Sequence, residues 1–434
     1  MNKVYMNTKT TDELCEKLWI GLVTTMTKSY VEKGVPLIRN SDIKQNKIGK
    51  DLINLDTEFA NLHLSRTVKT GDVVTVHTGD VGVSSVIPKE LNGAHGFATI
   101  NSRLKKEFIL PEYYCWFLNS ENFKEQVYQV ITGDGRNNLN LNDFIYLKVN
   151  YPAFPIQKRI IEFLNITSSI IEKTQTAIAK YKAIKQGMLN DLFTRGIDIK
   201  TGKLRPKQED APELYKESKL GWIPKEWDAE KLGCIGEFKN GVNKDKFSFG
   251  HGTLFVNIGD AYHEILDCST LNRVAVNNFE KQQYSLINGD VIFVRSSVKP
   301  DGVGYNTIFL EFNDDVVFCG FMIRFRLNDK IKYNPEFYNS YFRYLEFRRR
   351  LLCVSTVSAN TNVNQVALSN LFAIKPNEKE QLEVAKRLGI INNKIHTEEN
   401  YLHKLHQIKS GLMADLLSGN KLVSIPKEME TQTI

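Results

Sequence analysis

The sequence has few cysteines and no closely spaced pair of them. Structural zinc sites and disulfide frameworks need closer or more regular cysteine spacing than this chain offers. We therefore expect neither a metal nor a disulfide framework, and we interpret the cysteines as reduced, mostly buried thiols of a cytoplasmic protein. The six cysteines are Cys15, Cys115, Cys234, Cys268, Cys319 and Cys353.

Long apolar runs are also absent. No segment approaches the ~18 consecutive apolar residues of a membrane-spanning helix. The N-terminal residues, MNKVYMNTKTTDELCEKLW, are charged and contain no continuous apolar stretch, so they do not resemble a signal peptide. The sequence therefore predicts a soluble, cytoplasmic protein that does not contact a membrane.

The motifs of several catalytic classes are missing as well. An adenine methyltransferase would carry an N/D-P-P-Y/F motif and a glycine-rich cofactor loop, but the nearest match, Asn334-Pro335, continues into Glu336. The segment GIDIKTGKL at 196–204 is no P-loop, because its glycines are one residue too far apart and no Ser or Thr follows the lysine. We interpret the histidines of the second long helix as surface positions rather than metal ligands. The sequence thus predicts a chain that is not an enzyme and needs no cofactor.

The charge balance is only mildly basic. The chain has 57 basic and 50 acidic residues, which gives a net charge of +7. This excess permits nucleic-acid binding on one face without requiring it. The length of 434 residues predicts about two to four domains.

The most informative feature that is present is an internal repeat. Residues 141–196 and 368–420 resemble each other after a shift of 224 positions. The matches include surface-type residues, so a shared helical pattern alone does not explain them. An internal duplication predicts approximate two-fold symmetry, and DNA is the commonest ligand whose backbone has that symmetry. The matched pairs include Gln157/Gln381, Ile166/Ile390, Ile184/Ile408, Lys185/Lys409 and Leu192/Leu416.

The repeated segments carry apolar residues at alternating steps of four and three, which is typical of a coiled coil. Each helix is predicted to have about 38 residues and a length of about 57 Å. The simplest partner for each apolar stripe is the other copy, and the alternative is that each helix packs on its own domain. The predicted seam residues are Ile160, Leu164, Ile171, Ile178, Tyr181, Met188 and Leu192 in the first copy, and Val384, Leu388, Ile391, Ile395, Leu402, Leu405, Leu412 and Leu416 in the second.

The segments before the two helices also correspond, although more faintly. Asp42 matches Asp260 at an offset of 218, and the Pro-Glu pair at 111–112 matches the pair at 335–336 at an offset of 224. Alternating β-branched residues predict strands, and each proline is predicted to begin a helix. The predicted fold is therefore α+β, with two pseudo-symmetric modules joined by long helices that form an antiparallel coiled coil. The expected boundaries are 1–152 for the first module, 153–197 for its helix, 198–219 for a connector without a core, 220–376 for the second module, 377–420 for its helix and 421–434 for a tail.

This arrangement resembles the specificity subunit of type I restriction–modification systems. The resemblance lies in the order and spacing of motifs over nearly the whole chain, from about residue 30 to residue 420. It includes the helix ends KQGMLNDLFTRGI and KSGLMADLLSG, the connector, and the strand motifs PLIRNSDI, TGDVVTVHTGDVG and NGDVIFVRSS. One departure is that GWIPKEW at 221–227 has no counterpart before the first module.

The resemblance implies a function and a set of partners. In that family the modules are target recognition domains, each of which reads one half of a split DNA sequence, and the coiled coil sets the distance between them. The expected chain is a non-catalytic DNA reader without a cofactor. Its expected partners are double-stranded DNA, two modification (methyltransferase) subunits and two restriction subunits. Because the loops of the two modules differ, the half-sites are expected to differ, which gives an asymmetric bipartite site.

Candidate DNA-contacting residues follow from the chemistry of base reading. Arginine pairs with guanine, asparagine or glutamine with adenine, and serine or threonine with either, from loops flanked by basic residues. The alternative for each residue is an ordinary polar turn. The candidates are Arg39, Asn40, Ser41, His77, Thr78, Asn101, Arg103, Arg136 and Asn137 in the first module, and Asn257, Arg295, Ser296, Ser297, Lys299, Asn360 and Asn362 in the second.

Two alternative functions remain open from the residues alone. The first is a tandem protein-interaction scaffold whose coiled coil recruits partners and whose β modules bind protein. The weaker alternative is a self-sufficient DNA methyltransferase or nuclease. DNA binding would weaken steeply with salt, whereas binding to a protein would not, so salt dependence separates the scaffold from the DNA reader.

Overall fold

The computed structural model describes residues 5–131, 137–357 and 360–421. The chain forms two compact units. The first unit contains Met1–Thr176 and Asn400–Ile434, and the second unit contains Ala177–Glu399. Each unit therefore holds one predicted module and one segment of each long helix. In the described part of the chain, no helix is long and apolar enough to cross a membrane.

The first unit is built from strands and short helices, which agrees with the predicted α+β class. One four-stranded sheet is antiparallel and has the order Cys15–Ile20, Thr99–Leu104, Val73–Val76 and Ser84–Val86. A second sheet has the order His95–Phe97, Val35–Arg39, Ile53–Leu55 and Tyr30–Val31, and its first pair is parallel. Two-stranded pairs join Asn7–Thr10 to Lys148–Tyr151 and Ile43–Lys44 to Lys47–Ile48. The short helices are Thr11–Leu14, Thr57–Asn61, Pro111–Leu118, Glu121–Val130 and Leu141–Phe144.

The second unit repeats this plan, as the duplication predicts. Its antiparallel sheet has the order Gly236–Asn240, Met322–Leu327, Val291–Val294 and Asn306–Ile308. A three-stranded sheet has the order Asn272–Val274, Phe249–Val256 and Val316–Phe318, and its second pair is parallel. A small sheet joins Ser296–Ser297, Thr361–Asn362 and Thr356–Val357, and Asp228–Lys231 pairs with Phe372–Lys375. The short helices are Leu232–Ile235, Asn278–Tyr284, Pro335–Phe342, Leu345–Cys353 and Gln365–Asn370.

A pair of buried glutamines marks the duplication in atomic detail. Gln157 donates hydrogen bonds to the carbonyls of Phe108 and Pro152, at 3.0 and 2.9 Å, and accepts one from the Leu110 amide at 2.8 Å. Gln381 makes the same three bonds in the second unit, each to a residue 224 positions later in the chain. Both side chains are fully buried. The repeat preserves glutamine here because only a side chain with both a donor and an acceptor satisfies these backbone groups.

The two long helices lie within the expected bounds of 153–197 and 377–420 and are slightly longer than the expected length of about 38 residues. They span Phe154–Thr194, with 41 residues, and Glu378–Leu417, with 40 residues. None of the predicted seam residues is exposed. Ten are buried, and the half-buried ones are Tyr181, Met188, Ile391, Leu402 and Leu412. Two seam positions hold threonines, whose hydroxyls donate to carbonyls one turn earlier and so need no outside partner.

The helices pair in antiparallel fashion within each unit. In the first unit, Ile160 and Leu164 from the start of the first long helix share a hydrophobic core with Leu416 and Leu417 from the end of the second. In the second unit, the end of the first helix shares a core with the start of the second, which includes Val384 and Leu388. This pairing agrees with the predicted antiparallel coiled coil. It argues against the alternative in which each helix packs only on its own module.

The lysines that interrupt the seam turn towards the modules. Lys185 forms an ion pair with Glu264 of the second module. Its repeat equivalent, Lys409, places its ammonium 4.9 Å from the centre of the Trp116 ring in the first module, and burial lowers the pKa of Lys409. Both lysines therefore fasten a helix to a module, a role that the seam pattern did not predict.

The connector differs from its prediction, because it is folded rather than featureless. Ile197–Asp198 pairs with Lys203–Leu204, and Tyr215–Ser218 pairs with Gly221–Pro224. Arg205 lies between these hairpins and donates to both carboxylate oxygens of Glu380, at 2.5 and 3.0 Å. Glu380 is fully buried and also accepts from the indole of Trp227 at 3.0 Å. The connector, for which no core was expected, therefore contributes Arg205 to a buried ion pair with Glu380, and its residues Ala211 and Tyr215 are also buried.

Candidate nucleic-acid interface

Both units place polar candidate residues at the end of a central buried strand. In the first unit, Thr78 follows the strand Val73–Val76 and its hydroxyl donates to the side chain of Asn138 at 2.8 Å. In the second unit, Ser296 follows the equivalent strand and pairs with Asn362 in the small sheet. In each copy, the residue at the strand end therefore contacts a residue that follows a pair of helices, which end at Val130 in the first unit and at Cys353 in the second. The structure therefore brings together candidates that lie about 60 residues apart in the sequence.

In the first unit, several candidates surround that strand end. The Arg39 guanidinium donates to both oxygens of Asp42, at 2.8 and 2.7 Å, and these bonds raise the pKa of Arg39. Asn40 accepts from the backbone amide of His77, whose imidazole bonds to the Thr78 hydroxyl at 2.8 Å. Burial lowers the pKa of His77, so its ring is neutral near pH 7 and can accept as well as donate.

Two candidates of the first unit lie in the wrong place to read a base. Asn101 is fully buried within the central sheet, and its carbonyl accepts from the Thr99 hydroxyl at 2.8 Å. Arg103 donates two hydrogen bonds to Asp72, at 2.9 and 2.7 Å. Arg326 makes the same paired contact with Asp290 in the second unit. Both side chains therefore have a structural role. Asn101 lies inside the sheet, and Arg103 neutralises the buried carboxylate of Asp72, a contact that recurs in the second unit.

Two further candidates of the first unit lie on its surface. Ser41 is exposed at the turn after Val35–Arg39, and Asn137 is exposed beside Asn138. The backbone carbonyl of Asn137 accepts from the Gly79 amide at 3.5 Å. Arg136 lies outside the described residues. Ser41 and Asn137 form a polar patch with Arg39, Asn40, His77 and Thr78, and we call this patch the first surface.

In the second unit, the candidates gather around one concavity. Ser296, Ser297, Lys299 and Asn360 all line a cleft of about 820 Å³. Asn257 immediately precedes Ile258, which lines this cleft. The backbone amide of Asn257 donates to Asp260 at 2.8 Å, as the backbone amide of Arg39 donates to Asp42 in the first unit. The guanidinium of Arg295 donates to the Gly320 carbonyl at 3.4 Å, and Asn362 donates to the carbonyl of Asn360 at 3.0 Å. We call these residues and the cleft the second surface.

The aromatic walls of the cleft were missed from the sequence. Tyr262 and Tyr305 pack with ring centres 5.5 Å apart, and Phe321 is 56% exposed beside them. Aromatic residues are usually assigned to cores, so only their position next to polar strand ends distinguishes them. Arg348 is the first of three consecutive arginines at 348–350, and its guanidinium lies 4.9 Å from the centre of the Tyr305 ring, so it supports that wall of the cleft.

The described residues contain no group of three or more His, Cys, Asp and Glu side chains that could hold a metal ion. Four of the six cysteines are buried, and Cys234 and Cys353 are exposed. Burial raises the pKa of the Cys15 thiol to about 12, and the pKa values of Cys268 and Cys319 to about 11. These buried thiols are therefore protonated at neutral pH, and they line neither surface.

Comparison with known proteins bears on what these surfaces do. Residues 4–181 match the family model of the type I restriction modification DNA specificity domain. The chain is 22% identical over 400 residues to the type I restriction enzyme StySPI specificity subunit of Salmonella potsdam, an alignment that covers 89% of this chain and 82% of that protein. It is 20% identical over 404 residues to the EcoKI specificity subunit of Escherichia coli K12, with the same two shares.

Solved structures of low sequence identity share the fold. The S subunit of a type I restriction–modification system from M. genitalium superposes with a TM-score of 0.58 at 12% identity, over 96% of this chain and 97% of that one. A second structure, from work on complex assembly and conformational transition of the type I R-M system, gives a TM-score of 0.53 at 15% identity, over 96% and 99% of the two chains.

The repeated α+β modules and their paired helices therefore share the fold of the solved type I S subunit. Residues 4–181 match the type I DNA specificity domain, and the chain is similar to type I specificity subunits over most of its length.

Proposed function

We propose that the chain reads an asymmetric bipartite DNA sequence, with one half-site for each module. The observation that carries this proposal is that both units build the same surface from equivalent positions but with different side chains. Arg39 and His77 of the first surface correspond to Asn257 and Arg295 of the second. Equivalent frames with different donors and acceptors suit two different base sequences, since bases are distinguished by their hydrogen-bonding edges.

The paired helices are proposed to act as a spacer. Each helix begins in one unit and ends in the other. Half-sites about one DNA turn apart, at roughly 34 Å, would present their major grooves on the same side of the duplex. A spacer made of two packed helices resists bending better than a single chain, so the gap between the half-sites is expected to be a fixed number of base pairs.

The outer face of the helices is proposed to dock two modification subunits. The repeat preserves isoleucine at positions that face away from the seam. The first unit carries Ile166 and Ile408, which are 51% and 52% exposed, and the second carries the equivalent Ile390 and Ile184, at 64% and 42%. Exposed apolar residues typically mark interaction sites when they recur together. One matched pair in each unit supports two docking events, and two restriction subunits would complete the assembly.

The main alternative is a tandem protein-interaction scaffold. The test is the affinity of the chain, purified with its modification subunit, for duplex DNA between about 50 and 200 mM salt. A DNA reader that contacts several phosphates is expected to lose about 10³-fold or more in affinity over that range. Binding that is insensitive to salt, or binding only to another protein, would favour the scaffold.

The chain itself is proposed to be non-catalytic. On the first surface the Thr78 hydroxyl donates its proton to Asn138, so the His77 imidazole donates to that hydroxyl and does not act as a base towards it. The purified chain with a methyl donor and DNA is expected to give no methylation and no cleavage, while addition of the modification subunit is expected to give methylation. Turnover by the chain alone would overturn this assignment.

A further inference from the structure

The cleft of the second surface differs chemically from a second concavity of that unit. Its walls are aromatic and its rim carries hydroxyl, amide and ammonium groups from Ser296, Lys299 and Asn360. The second concavity, of about 360 Å³, is smaller and is lined instead by acidic side chains, including Glu311, Asp314 and Asp315. The aromatic cleft is lined by one carboxylate, Asp301, together with Lys299. The carboxylates of the acidic concavity have no basic side chain beside them in its described lining and repel the phosphates of DNA, so the aromatic cleft suits close approach to a duplex better.

The aromatic cleft is held in shape by contacts behind it. Arg348 donates to the backbone carbonyl of Asp301 at 2.8 Å and lies against the Tyr305 ring. Gly302 sits where a side chain would collide with the Ser297 hydroxyl, at 2.3 Å, so glycine is required for the lip to approach this closely. Burial lowers the pKa of Arg348. Its support of the cleft follows from its contacts with Asp301 and Tyr305 and not from that pKa. A cleft braced in this way keeps its form before DNA arrives, which lowers the entropy cost of binding.

The first unit lacks the two tyrosine walls at the equivalent positions, and Phe97, which matches Phe321 at an offset of 224, packs against a hydrophobic core instead of lying exposed. The residues that correspond to Tyr262 and Tyr305 are Lys44 and Val83. The correspondence of the second pair is structural, because the amide of Val76 donates to Val83 and the amide of Val294 donates to Tyr305, at 2.8 and 2.7 Å. Whatever the aromatic walls recognise is therefore specific to the second unit.

We propose that this cleft reads at least one A·T base pair of the second half-site by contact with the C5-methyl group of thymine. The proposal rests on the proposed function and assigns Phe321 as a specificity residue. An apolar ring beside a serine or asparagine suits that pair, because the major-groove edge of A·T offers a methyl group next to one donor and two acceptors. Phe321 is the most exposed aromatic ring of the cleft, so its side chain is open to a ligand that arrives from solvent.

The first experiment compares Phe321→Ala with a matched control, Phe312→Ala. Phe312 is a 44% exposed phenylalanine of the acidic concavity in the same unit. Each variant, in complex with its modification subunit, methylates DNA that lacks other modification, and the methylated motif is read by sequencing. Phe321→Ala is expected to relax one position of one half-site and leave the other half-site unchanged. Phe312→Ala is expected to leave both unchanged.

The second experiment removes only the methyl group from the DNA. Each thymine of the wild-type motif is replaced in turn by 2′-deoxyuridine, and binding by the complex is measured. One replacement in the affected half-site is expected to weaken wild-type binding by about tenfold and Phe321→Ala binding by less than about twofold. The inference is overturned if no replacement has this effect, or if Phe321→Ala keeps the wild-type motif. A wild-type complex that methylates no bipartite motif would instead overturn the proposed function.

Discussion

Leu192 and Leu416 occupy equivalent positions of the repeat. Each long helix follows one module in the sequence, but its leucine is buried in the core of the other module. Leu192 ends the first long helix and packs in the core of the second unit. Leu416 ends the second long helix and packs in the core of the first. The two halves of the chain therefore complete each other's cores, and neither module is finished without the partner helix.

This exchange predicts that a cavity at either leucine acts on the opposite half of the sequence. Leu192→Ala and Leu416→Ala should each cost about 2–5 kcal/mol of local stability, since both are large-to-small changes in a core. In hydrogen–deuterium exchange, Leu192→Ala should increase exchange in Pro335–Phe342, and Leu416→Ala should increase it in Pro111–Leu118. The control, Ile170→Ala at a 36% exposed position, should affect neither helix. Loosening of only the module that precedes each mutated helix would contradict the exchange.

The buried glutamines predict that an isosteric change is as harmful as a truncation. Gln157→Glu keeps the side-chain volume but removes the two N–H groups that the carbonyls of Phe108 and Pro152 accept. Gln157→Glu and Gln157→Ala should each destabilise the first unit by on the order of 3 kcal/mol in denaturant titrations, because each leaves buried groups unsatisfied. The control is Gln126, whose side chain also makes two hydrogen bonds to a backbone, that of Lys148, but in contact with solvent. Gln126→Ala should lower the free energy of unfolding by less than about 1 kcal/mol, because water replaces the lost partner.

A buried histidine predicts that the first unit is weakened by acid. His95 is fully buried, its Nε2 lies 3.2 Å from the Ala60 carbonyl, and its Nδ1 has no hydrogen-bond partner. Burial lowers the pKa of His95, against an opposing hydrogen bond to Ala60. The unfolded chain therefore binds the proton more readily, so the stability that the neutral ring contributes is present above about pH 6.5 and is lost as the pH falls below it.

The measurement is the urea midpoint of the first unit at pH 7.5 and pH 5.5, in the wild type and in His95→Gln. The wild type should lose stability at the lower pH, and the variant should lose less. A residual effect is expected, since burial also lowers the pKa of His77. An identical pH dependence in both proteins would remove His95 as the cause.

The exposed isoleucines predict the stoichiometry of docking. Ile166→Asp with Ile408→Asp alters the first unit, and Ile184→Asp with Ile390→Asp alters the second. Each double variant should bind one modification subunit instead of two in native mass spectrometry, because a charge on an apolar contact must be desolvated. Leu62→Asp and Ile331→Asp, at positions 79% and 89% exposed, are controls that should keep two. Two bound subunits in both double variants would place docking elsewhere.

The sequence predicted the features that repeat and missed those that depend on contacts between distant segments. The heptad pattern located both long helices, and Pro111 and Pro335 marked the helices that they begin. The sequence did not reveal that Arg205 of the connector and Trp227 share one distant partner, the carboxylate of Glu380. No local pattern reveals such a partner.

The candidate site was chosen by residue type, which could not show which candidates are held by contacts within the fold. Arg103 suited base recognition by residue type, but its pairing with Asp72 could have been suspected, since both residues recur in the second module as Arg326 and Asp290. Repetition of a charged pair indicates a structural role, whereas half-sites that differ require residues that differ. By that criterion, the unmatched Tyr262 and Tyr305 were the better candidates.

The most direct test of the central claim is the motif that the wild-type complex methylates, read by sequencing of DNA that carries no other modification. Two unrelated short sequences separated by a fixed number of unspecified base pairs are expected, with changes at the cleft of the second surface confined to one of them. A contiguous motif, a palindrome, or two half-sites at variable spacing would contradict a reader that holds two dissimilar modules on one pair of helices.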